Sequence, residues 1–139
     1  MDSTVFLDTG FAIALLAPRD QYHEIALRVA TKIKQQRTKV ITSNAVLLEI
    51  GAALSKYSYR AAAVRFIDAL RADSNVEIVW LDDRLFNQAY QLFCERPDKE
   101  WSLTDCASFI IMKEQCIFQA LATDDHFAQS GFLPLLIKD

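Results

Sequence analysis

Five short apolar runs of strand length alternate with longer stretches of helical pattern, and that alternation leaves few folds open. The runs fall at residues 3–7, 39–42, 76–80, 118–122 and 132–137. Between them, apolar residues recur every three or four positions, as a helix buried along one side requires. Strands separated by helices pair in parallel. The expected fold is therefore a three-layer α/β/α domain around a mainly parallel central sheet of four to five strands.

The helical pattern gives each layer its predicted faces. A brief helix over 9–16 stops at Ala17-Pro18, and a second over 21–35 turns Tyr22, Ile25, Ala26, Val29, Ala30 and Ile33 to one side. Ser43 or Asn44 can cap a helix that runs through Glu49 to residue 56. Ala63, Phe66, Ile67 and Leu70 mark the inner face of a helix over 58–72. Asp82 or Asp83 caps the next, which runs to residue 95 with Phe86, Ala89, Tyr90 and Phe93 as its apolar stripe. After a polar loop over 96–101 comes a helix over 102–114, with Leu103, Cys106, Ala107 and Ile110 apolar. A single turn over 125–129 ends at Gly131.

Composition narrows the class. The 139 residues read as one domain, 52% hydrophobic and 24% charged, with three glycines and three prolines and no linker. No apolar stretch approaches the roughly 20 residues of a membrane helix. The start of the chain has no signal-peptide pattern. Cys94, Cys106 and Cys116 are odd in number and form no Cys-x-x-Cys pair, so they are expected to be small buried hydrophobes in a protein of the reducing cytoplasm. A net charge of −3 argues against binding nucleic acid by bulk charge.

Four acids stand where strands or loops hand over to helices, or within the first turns of a helix: Asp8, Glu49, Asp105 and Asp124. Ligands of α/β folds collect at the carboxyl ends of the strands. Two unit charges about 4 Å apart repel by about 4 kcal/mol at an effective dielectric near 20, so converging acids need cations between them. Carboxylate and water oxygens suit Mg²⁺ or Mn²⁺, one or two ions. Each acid also has a plainer role open to it. Asp8 can begin a turn or cap the short helix. Asp105 fits a capping box with Ser102. Asp124 can cap the turn beginning at Asp125, and either of the two acids can face the cation. Glu49 has Ala45, Val46, Ala52 and Ala53 one turn away and no basic partner there, which favours a ligand role. His126 is open to a role as ligand or phosphate contact, but beside Phe127 it reads as structural.

Four blocks of sequence carry a resemblance that spans essentially the whole chain. They are Phe6-Leu7-Asp8-Thr9, then Thr42-Ser43-Asn44-Ala45-Val46-Leu47-Leu48-Glu49, then Ser102-Leu103-Thr104-Asp105-Cys106-Ala107-Ser108-Phe109, and Ala122-Thr123-Asp124-Asp125-His126-Phe127. In this order they resemble the PIN domain, and within it the VapC type of ribonuclease toxin of bacterial toxin–antitoxin pairs. The resemblance implies that Asp8, Glu49, Asp105 and Asp124 bind metal and serve catalysis, supported by Thr9 and Thr123. It implies RNA as substrate, an antitoxin protein as partner, and a homodimer for which apolar helices around residues 45–70 offer a surface. Asp125 departs from the family, where the residue after the fourth acid is often basic.

The expected activity is hydrolysis of RNA phosphodiester bonds by cation-activated water. Arg96, Lys99 and Trp101 offer a grip on the RNA backbone and a base to stack, although an ordinary solvated loop explains them better. Lys32, Lys34, Arg37 and Lys39 read as a solvated helix end. A non-catalytic PIN-like module that binds RNA or a protein is the alternative. An aspartyl-phosphate enzyme would need an acid where Gly10 stands, and a serine hydrolase a Gly-x-Ser-x-Gly elbow that the chain lacks.

Overall fold

The computed structural model describes residues 1–123 and 125–137. In chain order the elements are β1 (Thr4–Leu7), α1 (Thr9–Leu16), α2 (His23–Gln36), β2 (Lys39–Ser43), α3 (Asn44–Ala53), α4 (Tyr57–Ala72) and β3 (Val76–Val79). They continue with α5 (Asp83–Glu95), α6 (Leu103–Glu114), β4 (Gln119–Leu121), α7 (Asp125–Gln129) and β5 (Leu133–Pro134). All strand pairs are parallel, in the order β3-β2-β1-β4-β5. β1 is central, with Phe6 opposite both Ile41 of β2 and Ala120 of β4.

The path of the chain sorts the helices into layers. Crossovers between parallel strands are right-handed, so the outward steps β1→β2→β3 and the return β3→β4 place their helices on opposite faces. Helices α1 to α4 pack together on one face, and α5, α6 and α7 on the other. A strand covered on both faces has to be apolar throughout. Val5, Phe6 and Leu7 meet that demand and are almost wholly enclosed.

Local chemistry sets the helix ends. Ser43, rather than Asn44, caps α3 by accepting from the Val46 N–H at 3.2 Å, and Asp82 caps α5 by accepting from Leu85 at 2.8 Å. Asn44 instead accepts from the Leu81 N–H at 2.8 Å, tying α3 to the segment after β3. Helices α2 and α6 both end in Schellman turns without glycine. Arg37 (φ 51°) and Cys116 (φ 56°) occupy the left-handed region, while Thr38 donates back to Ile33 and Ile117 to Met112.

Several expectations need correcting. The last two strands are shorter than their apolar runs, β5 keeping only Leu133–Pro134. On α5 the buried residues are Leu85 and Ala89, with Leu92 half-buried; Phe86, Tyr90 and Phe93 are exposed. Both sets repeat at helical spacing, and α6 packs against the side where small Ala89 permits close approach. Phe86 and Tyr90 stack on each other instead, with centroids 6.4 Å apart. Of the cysteines only Cys106 is buried, whereas Cys94 and Cys116 are exposed.

Trp101 is not a surface platform for a nucleobase. It is 5% exposed, donates from Nε1 to Gln129 Oε1 at 3.0 Å and meets the Phe109 ring edge-on at 5.1 Å. The Arg96 guanidinium covers it at 5.0 Å while forming a two-pronged pair with Asp98. An indole that fills a gap between elements has no face left for stacking a base.

Two outcomes follow. Trp101→Ala should lower stability by about 3–5 kcal/mol, as deletion of a buried aromatic does, read as a fall in urea midpoint. Cys116→Gly should raise stability by roughly 0.5–1 kcal/mol, since glycine avoids the left-handed penalty at the end of α6.

Candidate metal centre

The sheet order creates the crevice. From β1 the chain moves outward to β2 and β3, then returns to the other flank of β1 for β4 and β5. Connections leaving β1 and β4 therefore depart to opposite faces, and a ligand crevice opens beyond their carboxyl ends. Asp8 is the first residue beyond β1, and its N–H donates to Leu121 O at 3.2 Å, holding it against the end of β4. It stands at the N-cap of α1, yet its side chain makes no capping hydrogen bond. The residue is nonetheless only 6% exposed. Helix capping does not explain this acid.

Glu49 faces the same helix start from α3. Its Oε1 accepts from the Thr9 hydroxyl at 2.8 Å, so the residue after Asp8 fixes the glutamate. The expectation that Glu49 lies on an apolar face is corrected. The buried side of α3 is Val46 and Ile50, whereas Ala52 and Ala53 are exposed and Glu49 is half-buried.

Asp105 takes the capping role open to it in the sequence. Ser102 Oγ accepts from the Asp105 N–H at 3.0 Å, and Asp105 Oδ2 accepts from the Ser102 N–H at 3.1 Å, completing the capping box of α6. The same Oδ2 takes a second hydrogen bond from His126 Nδ1 on α7, at 3.0 Å. All of the capping thus falls on one oxygen. Among the described residues Oδ1 makes no hydrogen bond, although the residue is only 8% exposed. Burial, then the charge of Asp105, pushes the thiol of the next residue, Cys106, up to about 11.

The segment after β4 approaches α1 closely. A Cβ at Gly10 would come within 3.2 Å of Thr123 Oγ1, so glycine permits the first turn of α1 to lie against Thr123. Asp124 lies outside the described residues. Asp125 begins α7 and is exposed. Arg96 and Lys99 stand in the loop before α6, Arg96 occupied by Asp98 and Trp101.

Among the described residues no three His, Cys, Asp or Glu side chains gather into a ready metal-binding group. The donor chemistry still suits a hard cation. Asp8 is an enclosed acid unused for capping, and Asp105 keeps an oxygen that is unbonded among the described residues. His126, read from the sequence as structural, is hydrogen-bonded to Asp105. Its signal was its place in the same block as Thr123 and Asp124.

Compared with known proteins, residues 5–133 match the family described as "PIN domain". The chain is 31% identical over 129 residues to the "23S rRNA-specific endonuclease VapC20" of Mycobacterium tuberculosis, in strains CDC 1551 / Oshkosh and ATCC 25618 / H37Rv. That match covers 93% of this chain and 95% of the relative. The crystal structure of M. tuberculosis VapC20, titled a "Sarcin-Ricin loop cleaving toxin", superposes with a TM-score of 0.83 at 30% identity. It is matched over 93% of this chain and 96% of its own. Sequence and fold agree over nearly the full length, and the chain belongs to the PIN domain family.

Proposed function

We propose that this chain is a divalent-metal-dependent endoribonuclease, the toxin of a VapBC-type toxin–antitoxin pair. The observation that carries the reading is Asp8, an enclosed carboxylate at the switch point of the sheet that takes no part in capping its helix. Family membership, and similarity to a relative named as an rRNA endonuclease and toxin, support nuclease chemistry on RNA.

In this reading Asp8, Glu49, Asp105 and Asp124 hold one or two Mg²⁺ or Mn²⁺ ions. When bound, the cation supplies Lewis-acid activation of water and neutralises charge building on the phosphodiester. The chain's own residues set the geometry. Asp8 contributes its oxygens from the rigid end of the central strand, and Asp105 contributes Oδ1 while Oδ2 stays in the capping box. Thr9 orients Glu49, and Thr123 lines the same helix start across Gly10. Asp125, exposed beside the site, adds negative charge where a phosphate must approach, which makes the cation a requirement for substrate binding as well as for chemistry.

An antitoxin that covers this cleft is the expected protein partner. Exposed Leu48, Tyr57 and Val64 offer apolar surface for a homodimer. No helix among the described residues is long and apolar enough to cross a membrane.

The test is cleavage of purified RNA, with 23S rRNA among the substrates, in Mg²⁺ or Mn²⁺. Chelation by EDTA should abolish cleavage and added Mn²⁺ restore it. Asp8→Asn should lower cleavage by about 10³-fold, equivalent to about 4 kcal/mol of lost transition-state stabilisation. Cleavage that persists through both the chelator and the substitution overturns the reading. Mn²⁺ binding without cleavage of any RNA supports a binding module instead.

A further inference from the structure

We propose that His126 is a positioning residue that aims Asp105 at the cation, an inference that rests on the metal-centre reading above. Two donors from separate elements converge on one oxygen. The Ser102 N–H at the start of α6 lies 3.1 Å from Asp105 Oδ2, and His126 Nδ1 on α7 lies 3.0 Å from it. A carboxylate held by a single donor still swings about its last torsion, which is broad for aspartate. Two donors on the same oxygen fix the carboxylate plane. They also leave Oδ1, which is unbonded among the described residues, as the oxygen presented to a ligand. With the carboxylate as acceptor, the imidazole donates from Nδ1.

The imidazole is itself held in place. Phe127, the next residue, is fully buried and meets Phe109 edge-on, with centroids 5.0 Å apart. Phe109 lies one turn beyond Asp105 on α6 and also stacks with Phe132 at 5.8 Å. The end of α7 closes when the Phe132 N–H donates to Phe127 O at 2.9 Å. The five-residue helix α7 is thereby pinned to the helix that bears the acid. This is the usual arrangement around metal ligands, in which a second group bonds the atom not facing the ion and keeps the ligand in register.

The test compares His126→Leu with His126→Asn in the full chain, measuring Mn²⁺ affinity by electron paramagnetic resonance together with thermal unfolding and RNA cleavage. Asparagine places an N–H donor close to the position of Nδ1, whereas leucine removes it. His126→Leu should weaken Mn²⁺ binding by about 10–100-fold. His126→Asn should recover most of that loss. In an Asp105→Asn background His126→Leu should weaken binding no further, because its effect passes through Asp105. Mn²⁺ affinity unchanged by His126→Leu overturns the proposal, as does equal weakening by both substitutions, which would mark His126 as packing alone. Wild-type chain that binds no Mn²⁺ overturns the metal centre itself and the proposal with it. The two failures are distinct, since Asp8→Asn still weakens Mn²⁺ binding in the first and finds none to weaken in the second.

Discussion

The strand β1 is hydrogen-bonded on both flanks and covered on both faces, and the rest of the molecule is arranged around that enclosure. Three residues, Val5, Phe6 and Leu7, have nowhere to go but the centre of the sheet. Once they are there, the next residue emerges at the point where the strand order reverses. Asp8 needs no flexible loop to reach the crevice, because the pairing of β1 with β2 and β4 puts it there. Thr42 strengthens the same junction by donating from its hydroxyl to Leu7 O at 2.8 Å, one residue before the acid.

Much of this was legible in the sequence for a physical reason. Strand-length apolar runs and helical periodicity are both set by burial, and burial dominates the folding free energy. The capping box at Ser102 and Asp105 was readable because it is local, spanning a single turn. What was not readable depended on contacts distant in sequence. On α5 two apolar rows one residue apart were equally periodic, and only the approach of α6 selected Leu85 and Ala89 over Phe86 and Phe93. Trp101 looked exposed amid Arg96, Asp98 and Lys99, yet its indole reaches Gln129, 28 positions onward. The neighbours of Glu49 read as an apolar face, whereas Ala52 and Ala53 stand in solvent because α3 buries only the Val46 and Ile50 side.

The acids differ in how the fold constrains them. Asp8 is fixed by its backbone at a strand end, Glu49 by a hydroxyl from another helix, and Asp105 by a cap and an imidazole. These supports come from α1, the N-terminus of α6 and α7, so the geometry depends on both helical layers remaining docked on the sheet. A loss of packing near Phe109 or Phe127 would therefore reach Asp105 through α6 and α7 without touching any carboxylate.

The proline in β5 also governs how the sheet ends. Leu133 and Leu135 turn their N–H groups inward, to Phe118 O and Ala120 O. Alternation along the strand then directs the nitrogen of Pro134 to the open flank, where it carries no hydrogen. A further strand arriving at that border would find a donor missing at its middle position. The β5 side is thus a poorer template for a further strand, which works against edge-to-edge pairing at that border.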